Sequence, residues 1–331
     1  MKKIFAIAFA VAAVAACNKA EVIESVPATA IAFDNAFVDN ATKAATDITK
    51  ATLADFGVYG TVTNGTNGAL LFNNTKVTKS GDAAPYTYTY SPVQYWIEGA
   101  QYTFSAYAPY TNAKWAFTPT DAHNGTLSFD NEAAQGEQDL LFAAASRTTA
   151  SDIDTTPDAV SFTFGHLLSK VVFKYTNGFT DNNITLNVYD VKINNAAAEG
   201  TIPVAAGQAG VWTGTGDYVR SFGAADADAD QALANTASTT TEHYYLIPVE
   251  RAYNITFKVD LYQAGVLLNT YEHDVTTTIN IEKGKSYSFN ATLTQLNVNP
   301  DSQLYPIVFN VTDVEAWDPA SGGTGVDIPL S

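Results

Sequence analysis

Residues 56–68 read Phe56-Gly57-Val58-Tyr59-Gly60-Thr61-Val62-Thr63-Asn64-Gly65-Thr66-Asn67-Gly68. A run of apolar, aromatic and β-branched residues stops at two Asn-Gly pairs, the dipeptide that supplies the positive φ angles of a tight hairpin. Further on, Tyr86, Tyr88 and Tyr90 alternate with Thr87 and Thr89, which puts the three rings on one face of an extended strand. Ser91-Pro92 breaks that run and residues 93–97 resume it. The same grammar recurs over residues 102–107, 127–129 and 140–143, and then over 160–164, 170–175, 184–193, 243–249, 255–262, 286–293 and 307–311. Pro203 and Pro248 fall at the edges of runs, where a missing N–H is tolerated. Many short strands with Gly and Asn turns predict an all-β sandwich architecture.

Composition agrees. The chain has 331 residues, 46% of them hydrophobic and 12% aromatic, which is a globular composition. At roughly 100 to 200 residues per domain, two domains are expected. The stretch 147–158 is polar and carries Pro157, so the boundary is drawn there: an N-terminal β-sandwich domain over 17–156 and a C-terminal one over 157–331. Residues 226–241 are low in complexity and read as a loop.

Charge removes several function classes. Asp and Glu number 34 against 17 Lys and Arg, a formal net charge of -17. Nucleic-acid binding needs a basic footprint, and so does peripheral docking on anionic lipid. One cysteine excludes both a disulfide framework and a multi-thiolate zinc site.

That cysteine sits at an informative place. Lys2 and Lys3 precede an uncharged run of 13 residues, 4–16, too short for the roughly 20 residues of a membrane span but suited to a signal-peptide core. The run ends Val14-Ala15-Ala16-Cys17, which resembles the lipobox of bacterial lipoproteins, where the Cys becomes the lipidated, palmitate-bearing N-terminus. Residues 1–16 are thus read as a signal peptide and Cys17 as the lipidation site; an ordinary secreted protein cut nearby is the plainer alternative. Asn18 supplies no acid to hold the protein at the inner membrane, so the outer membrane or cell surface is the expected destination.

Catalytic and cofactor signatures fail on inspection. Gly284-Lys285-Ser286 imitates the end of a phosphate loop, but Ile279 stands where that loop needs Gly. Asp226, Asp228 and Asp230 imitate a calcium loop, but Gln231 replaces its turn glycine and Ala237 its bidentate acid. His123, His166, His243 and His273 have no partner at metal-binding spacing, and no G-x-S-x-G or H-E-x-x-H motif is present. His166 reads as a packed structural histidine. Trp96, Trp115, Trp212 and Trp317, with the three alternating tyrosines, could form a sugar-stacking platform, although aromatics at period two more often pack a sheet face. No enzyme activity, cofactor or metal is expected.

Several phrases occur in a fixed order: the lipobox leader, Thr42-Lys43-Ala44, Phe56-Gly57-Val58-Tyr59-Gly60, Tyr90-Ser91-Pro92-Val93-Gln94-Tyr95-Trp96, Phe104-Ser105-Ala106-Tyr107-Ala108-Pro109, Gln138-Asp139-Leu140-Leu141-Phe142-Ala143 and Phe164-Gly165-His166-Leu167-Leu168-Ser169-Lys170. This succession resembles the fimbrillin family, the type V pilins and their fimbrillin-like relatives. The resemblance covers residues 1 to about 175 and implies two transthyretin-like, Greek-key β-sandwich domains in tandem. It also implies export as a lipoprotein, removal of an N-terminal strand by a trypsin-like protease, and filling of the vacated groove by a strand from another fimbrial subunit.

Carried onto this chain, the removable strand lies within about 28–43 and contains Ile31 and Phe33. The cut follows Lys43, where the family often has Arg, with Lys50 as the fallback. The donor is the tail at about 305–331, in which Ser321-Gly322-Gly323-Thr324-Gly325 supplies a hinge and Val326, Ile328 and Leu330 alternate as a strand, with Pro329 limiting pairing. The expected partners are self or paralogous subunits and the processing protease. The alternative is a monomeric surface lipoprotein or tip adhesin that binds a host glycan or protein.

Overall fold

The computed structural model describes residues 29–38, 48, 51–81, 86–110, 114–120, 124–150, 157–205, 208–223, 233–301 and 305–316. Cys17, Lys43, Lys50, the acidic positions Asp226, Asp228 and Asp230, and the tail residues Val326, Ile328 and Leu330 lie outside the described residues.

Among the described residues the chain is all-β apart from one helical turn. The first half forms β1 (Phe33–Val38), β2 (Asp55–Asn64), β3 (Asn67–Ser80), β4 (Thr87–Tyr90), β5 (Gln101–Ala108), β6 (Trp115–Pro119), β7 (Gly125–Asp130), α1 (Asn131–Ala134), β8 (Leu141–Thr148) and β9 (Val160–His166). The second half forms β10 (Ser169–Asn177), β11 (Ile184–Ala205), β12 (Gln208–Ala209), β13 (Thr213–Phe222), β14 (Ser238–Thr240), β15 (Tyr244–Leu246), β16 (Arg251–Gln263), β17 (Val266–Ile279), β18 (Lys285–Leu293) and β19 (Asn310–Ala316). The hairpin signalled by the Asn-Gly pairs is β2–β3: Asn64 faces Asn67 across a two-residue turn whose Gly65 has φ +63°.

Seven strands of the first half close into a barrel in the order β1-β4-β3-β2-β5-β8-β9. Each neighbouring pair in this ring is antiparallel except β1 with β9, which run parallel from Phe33↔Val160 to Val38↔Phe164. On its other side β1 meets β4 at Asp34↔Thr87. Strand β1 is therefore the element that joins β4 to β9 and turns an open sheet into a closed one. The barrel interior is aromatic, with Phe33, Phe56, Phe72, Phe104, Phe162 and Phe164 all buried.

The phrase Phe56-Gly57-Val58-Tyr59-Gly60 lets rings approach β2 on both faces, Gly60 toward the barrel interior and Gly57 toward Tyr107 in a separate apolar cluster outside it. A Cβ on Gly60 would lie 2.8 Å from the Phe72 ring and 2.9 Å from the Phe104 ring, and one on Gly57 would lie 2.4 Å from the Tyr107 ring. Only glycine admits rings this close to the backbone.

The second half packs two sheets over another core, which includes Phe173, Tyr175, Phe257, Phe289 and Phe309. One sheet runs β14-β10-β18-β19, with β15 also beside β10, and holds a parallel pair from Lys170↔Ser286 to Asn177↔Leu293. The other is organised by β11, a strand of 22 residues. Its early residues pair with β16, its later ones with β7, and β13 lies along its opposite edge.

The β6–β7 hairpin thus leaves the barrel and extends the second half's sheet, while β9 stays in the barrel because Phe162 and Phe164 face its core. The polar stretch 147–158, where the sequence draws the domain boundary, separates two barrel strands, and the chain passes to the second half at Leu167-Leu168. A third apolar cluster, containing Tyr107, Phe142, Leu167, Leu168, Trp212 and Tyr245, fills the junction. There the Trp212 indole N–H donates to the Leu167 carbonyl at 2.6 Å, and the Gly284 amide donates to that of Leu168 at 2.9 Å.

Candidate functional site

The segment 29–38 occupies a groove in the barrel wall. Its pairing begins before β1, where Ala30 bridges Tyr95. The Trp96 amide donates to the Thr29 carbonyl at 2.9 Å, and the Ile31 amide donates to the Gln94 carbonyl at 2.8 Å. Across the groove, the Val160 amide donates to the Ala32 carbonyl at 2.7 Å. Two rails therefore hold the segment by its backbone: residues 94–96 on one side and the start of β9 on the other. The Tyr90–Trp96 phrase, expected to carry a strand over 93–97, forms the first rail through this single bridge.

Side chains do the rest. Ile31 is 1% exposed and Phe33 2%. The Phe33 ring lies stacked on Phe162 at 5.7 Å between centroids and receives Phe72 at 5.5 Å, Tyr90 at 5.4 Å, Phe104 at 6.1 Å and Phe56 at 6.3 Å in edge-on arrangements. Edge-to-face and offset contacts at these separations are favourable beyond the area they bury.

The Tyr90 hydroxyl donates to the Ile31 carbonyl at 2.7 Å. Burial holds the Tyr90 phenol above its ordinary pKa, against the pull of its hydrogen bond with the Gln94 backbone, so it remains a neutral donor. At the rim, the Ser161 hydroxyl donates to the Asp34 carboxylate at 2.7 Å.

Of the residues singled out from sequence, Ile31 and Phe33 lie side by side in this groove, both in the barrel core. The processing sites, the lipidation site and residues 317–331 of the tail lie outside the described residues, whereas the start of the tail forms β19, paired antiparallel with β18 in the second half. Sequence reasoning missed the cage around Phe33. The alternation Phe162-Thr163-Phe164 carried a signal for it, but the pairing of β9 with β1 spans more than 120 residues and has no local signature.

Several other candidates resolve into packing, while His123 and Trp317 lie outside the described residues. Tyr88, Trp96, Trp115 and Trp212 are buried, which leaves them unable to act as an open sugar-stacking face. His166 Nδ1 lies 2.9 Å from the Asp139 carboxylate, with both side chains buried, so the Gln138–Ala143 and Phe164–Lys170 phrases meet as a structural pair. The two phrases also pair by backbone, Leu141 opposite His166. Gly284-Lys285-Ser286 opens β18, and Lys285 forms an ion pair with Glu282 at 2.5 Å.

The profile of a family described as fimbrillin-like matches residues 42–311. Among solved structures, a candidate cell adhesion protein from Bacteroides uniformis superposes with a TM-score of 0.50 at 19% identity, covering 88% of this chain and 99% of that one. A candidate cell adhesion protein from Bacteroides ovatus gives a TM-score of 0.52 at 17% identity, covering 88% and 98%. The fimbrial anchor protein Mfa2 from Porphyromonas gingivalis gives 0.41 at 10% identity, covering 84% and 95%. No protein of curated function matches the chain.

Proposed function

This chain belongs to the fimbrillin-like family, and on that premise we propose that it is a structural subunit of a cell-surface fimbria, contributing to adhesion and assembled by strand exchange after proteolysis. In this reading the precursor is exported as a lipoprotein, with Cys17 lipidated and anchored in the outer membrane. A trypsin-like protease then cuts after Lys43, or after Lys50, between the groove-filling segment and β2. The subunit needs no cofactor or metal and performs no catalysis. Its partners are other fimbrial subunits, the processing protease and, for adhesion, a host glycan or protein.

The observation that carries the reading is the position of β1. It closes the barrel as the link between β4 and β9, and its loss leaves two open strand edges above an aromatic cavity. Unpaired backbone groups and empty apolar pockets are costly and prone to capture another strand. Burial of Ile31 and Phe33 contributes about 1.5 to 3 kcal/mol each, so the segment stays in place while tethered, and after a cut it is held by non-covalent contacts that an incoming strand can replace.

The test is to treat purified precursor with trypsin-like protease and follow oligomers by size and electron microscopy, with Lys43→Ala, Lys50→Ala precursor and a variant ending at Pro319 alongside. Ladders and filaments from the native chain alone are expected. Efficient ladders from both variants would refute the exchange scheme.

A further inference from the structure

We propose that the groove selects its occupant through an aromatic cage: the strand it takes up carries a phenylalanine-like ring at the place of Phe33, an aliphatic residue two positions earlier, and a hydrogen-bond acceptor directly after the ring. This deepens the strand-exchange reading above and rests on it.

The cage is specific in shape. Phe162 forms a floor parallel to the Phe33 ring, at 18° between planes, and the edges of four further rings close the sides. These rings brace one another, with Phe72 at 5.3 Å from Tyr90 and 5.9 Å from Phe104, and Phe56 at 5.7 Å from Phe162. The backbone of Gly60 already sits against Phe72 and Phe104. A cage wedged in this way cannot shrink around a smaller side chain, and the residual void is what makes large-to-small changes costly.

Two polar contacts add direction. The Tyr90 hydroxyl reads the carbonyl of the residue at the Ile31 position, and Ser161 reads the side chain at the Asp34 position.

The consequence concerns the partner. The alternating tail residues of this chain, Val326, Ile328 and Leu330, are all aliphatic, and Pro329 stands between the last two. Placed in the groove, they bring no ring to the cage, whichever of them takes the Phe33 position. An extended segment of a different subunit, one with an aliphatic-x-aromatic-acceptor pattern, is therefore the preferred occupant, and the tail of a second copy is the weaker one that purified chain falls back on.

The experiment replaces residues 40–46 of the full-length chain with the recognition sequence of a site-specific protease, cuts there, and adds excess fluorescent peptide, so that the groove is never empty. The peptides are residues 28–38, the same with Phe33→Leu, with Phe33→Ala and with Asp34→Ala, and residues 321–331. The expected order is the 28–38 peptide tightest, Phe33→Leu about tenfold weaker, Phe33→Ala roughly 100-fold weaker, and residues 321–331 no tighter than Phe33→Leu. Equal uptake of residues 321–331 and 28–38, or no loss with Phe33→Leu, overturns the aromatic requirement and leaves strand exchange standing. Failure of the 28–38 peptide itself to enter the cut protein overturns strand exchange, and this proposal with it.

Discussion

The ring of Phe33 lies 5.7 Å from that of Phe162, centroid to centroid, with the planes 18° from parallel. Phe162 belongs to the one strand that β1 pairs with in parallel, so the segment that closes the barrel is keyed to β9 by backbone register and ring stacking at once. Phe33→Ala removes the ring and leaves the cage. We expect it to destabilise the barrel by about 3 to 5 kcal/mol, read as a lower guanidinium midpoint and faster proteolysis of the 39–47 region in the uncut protein. An unchanged midpoint would place the weight of closure elsewhere.

Tyr90→Phe keeps the ring against Phe33 and Phe72 but removes the donor to the Ile31 carbonyl. A cost of about 0.5 to 1.5 kcal/mol is expected. Its signature is kinetic: once the chain is cut between 38 and 48, the segment should leave several-fold faster than from the wild-type protein, measured by fluorescence of a labelled N-terminal segment.

The strands that sequence made legible are those with a buried face. β16 alternates buried and half-buried positions along its length, and Phe173 and Tyr175 of β10 both point into the second core, so period-two apolarity marks them. β13 and β17 carry no such pattern because few of their side chains are buried; β17 is a sheet edge whose first residues, Val266, Leu267 and Leu268, are at least half exposed. An edge strand is specified by its neighbour, here the 13-residue β16, more than by its own pattern. Ile31 and Phe33 were readable for the opposite reason, as two apolar residues spaced for one face of a strand. What could not be read is that this strand closes a ring, since closure joins residues 33 and 160.

His273 gives an acid-side prediction. Its ring stacks on Phe257 at 4.8 Å, and burial pushes its pKa below the ordinary 6.5, with a hydrogen bond to the Val298 backbone pulling the other way. The folded state prefers the neutral ring, so its contribution is complete above the unfolded pKa of about 6.5 and is lost as pH falls below it. Melting temperature should decline from about pH 7 to 5, and His273→Phe, which keeps the stack, should flatten that decline. An identical slope in the variant would mean that His273 does not carry the decline.

Burial of tyrosines sets the alkaline limit. Desolvation pushes Tyr88 in the barrel and Tyr287 in the second core up to about 12. The folded state binds these protons more tightly than the unfolded chain, so stability is complete below about pH 10 and is lost as pH rises from there toward the folded values. Tyrosinate absorbance from these residues should therefore appear together with the unfolding transition. Titration of Tyr88 in a protein still folded by circular dichroism would contradict its burial.

Gly60 offers a test of how tightly the cage is built. The added Cβ of Gly60→Ala would stand 2.8 Å from the Phe72 ring and 2.9 Å from Phe104, closer than real contacts allow, so the rings or the backbone between them must move. Overpacking of this kind costs about 1 to 3 kcal/mol. Because both rings also face Phe33, the strain falls on the groove-filling segment, and the nicked variant should release it more readily than the nicked wild type. Phe72→Leu by itself opens a void and is expected to be destabilising, yet in the double variant Gly60→Ala, Phe72→Leu the smaller side chain makes room for the methyl group. The two changes should therefore cost less together than the sum of each alone, a coupling of about 0.5 to 3 kcal/mol in a double-mutant cycle. Strict additivity would mean that the backbone at Gly60 yields instead of the rings, and that the cage is softer than its geometry implies.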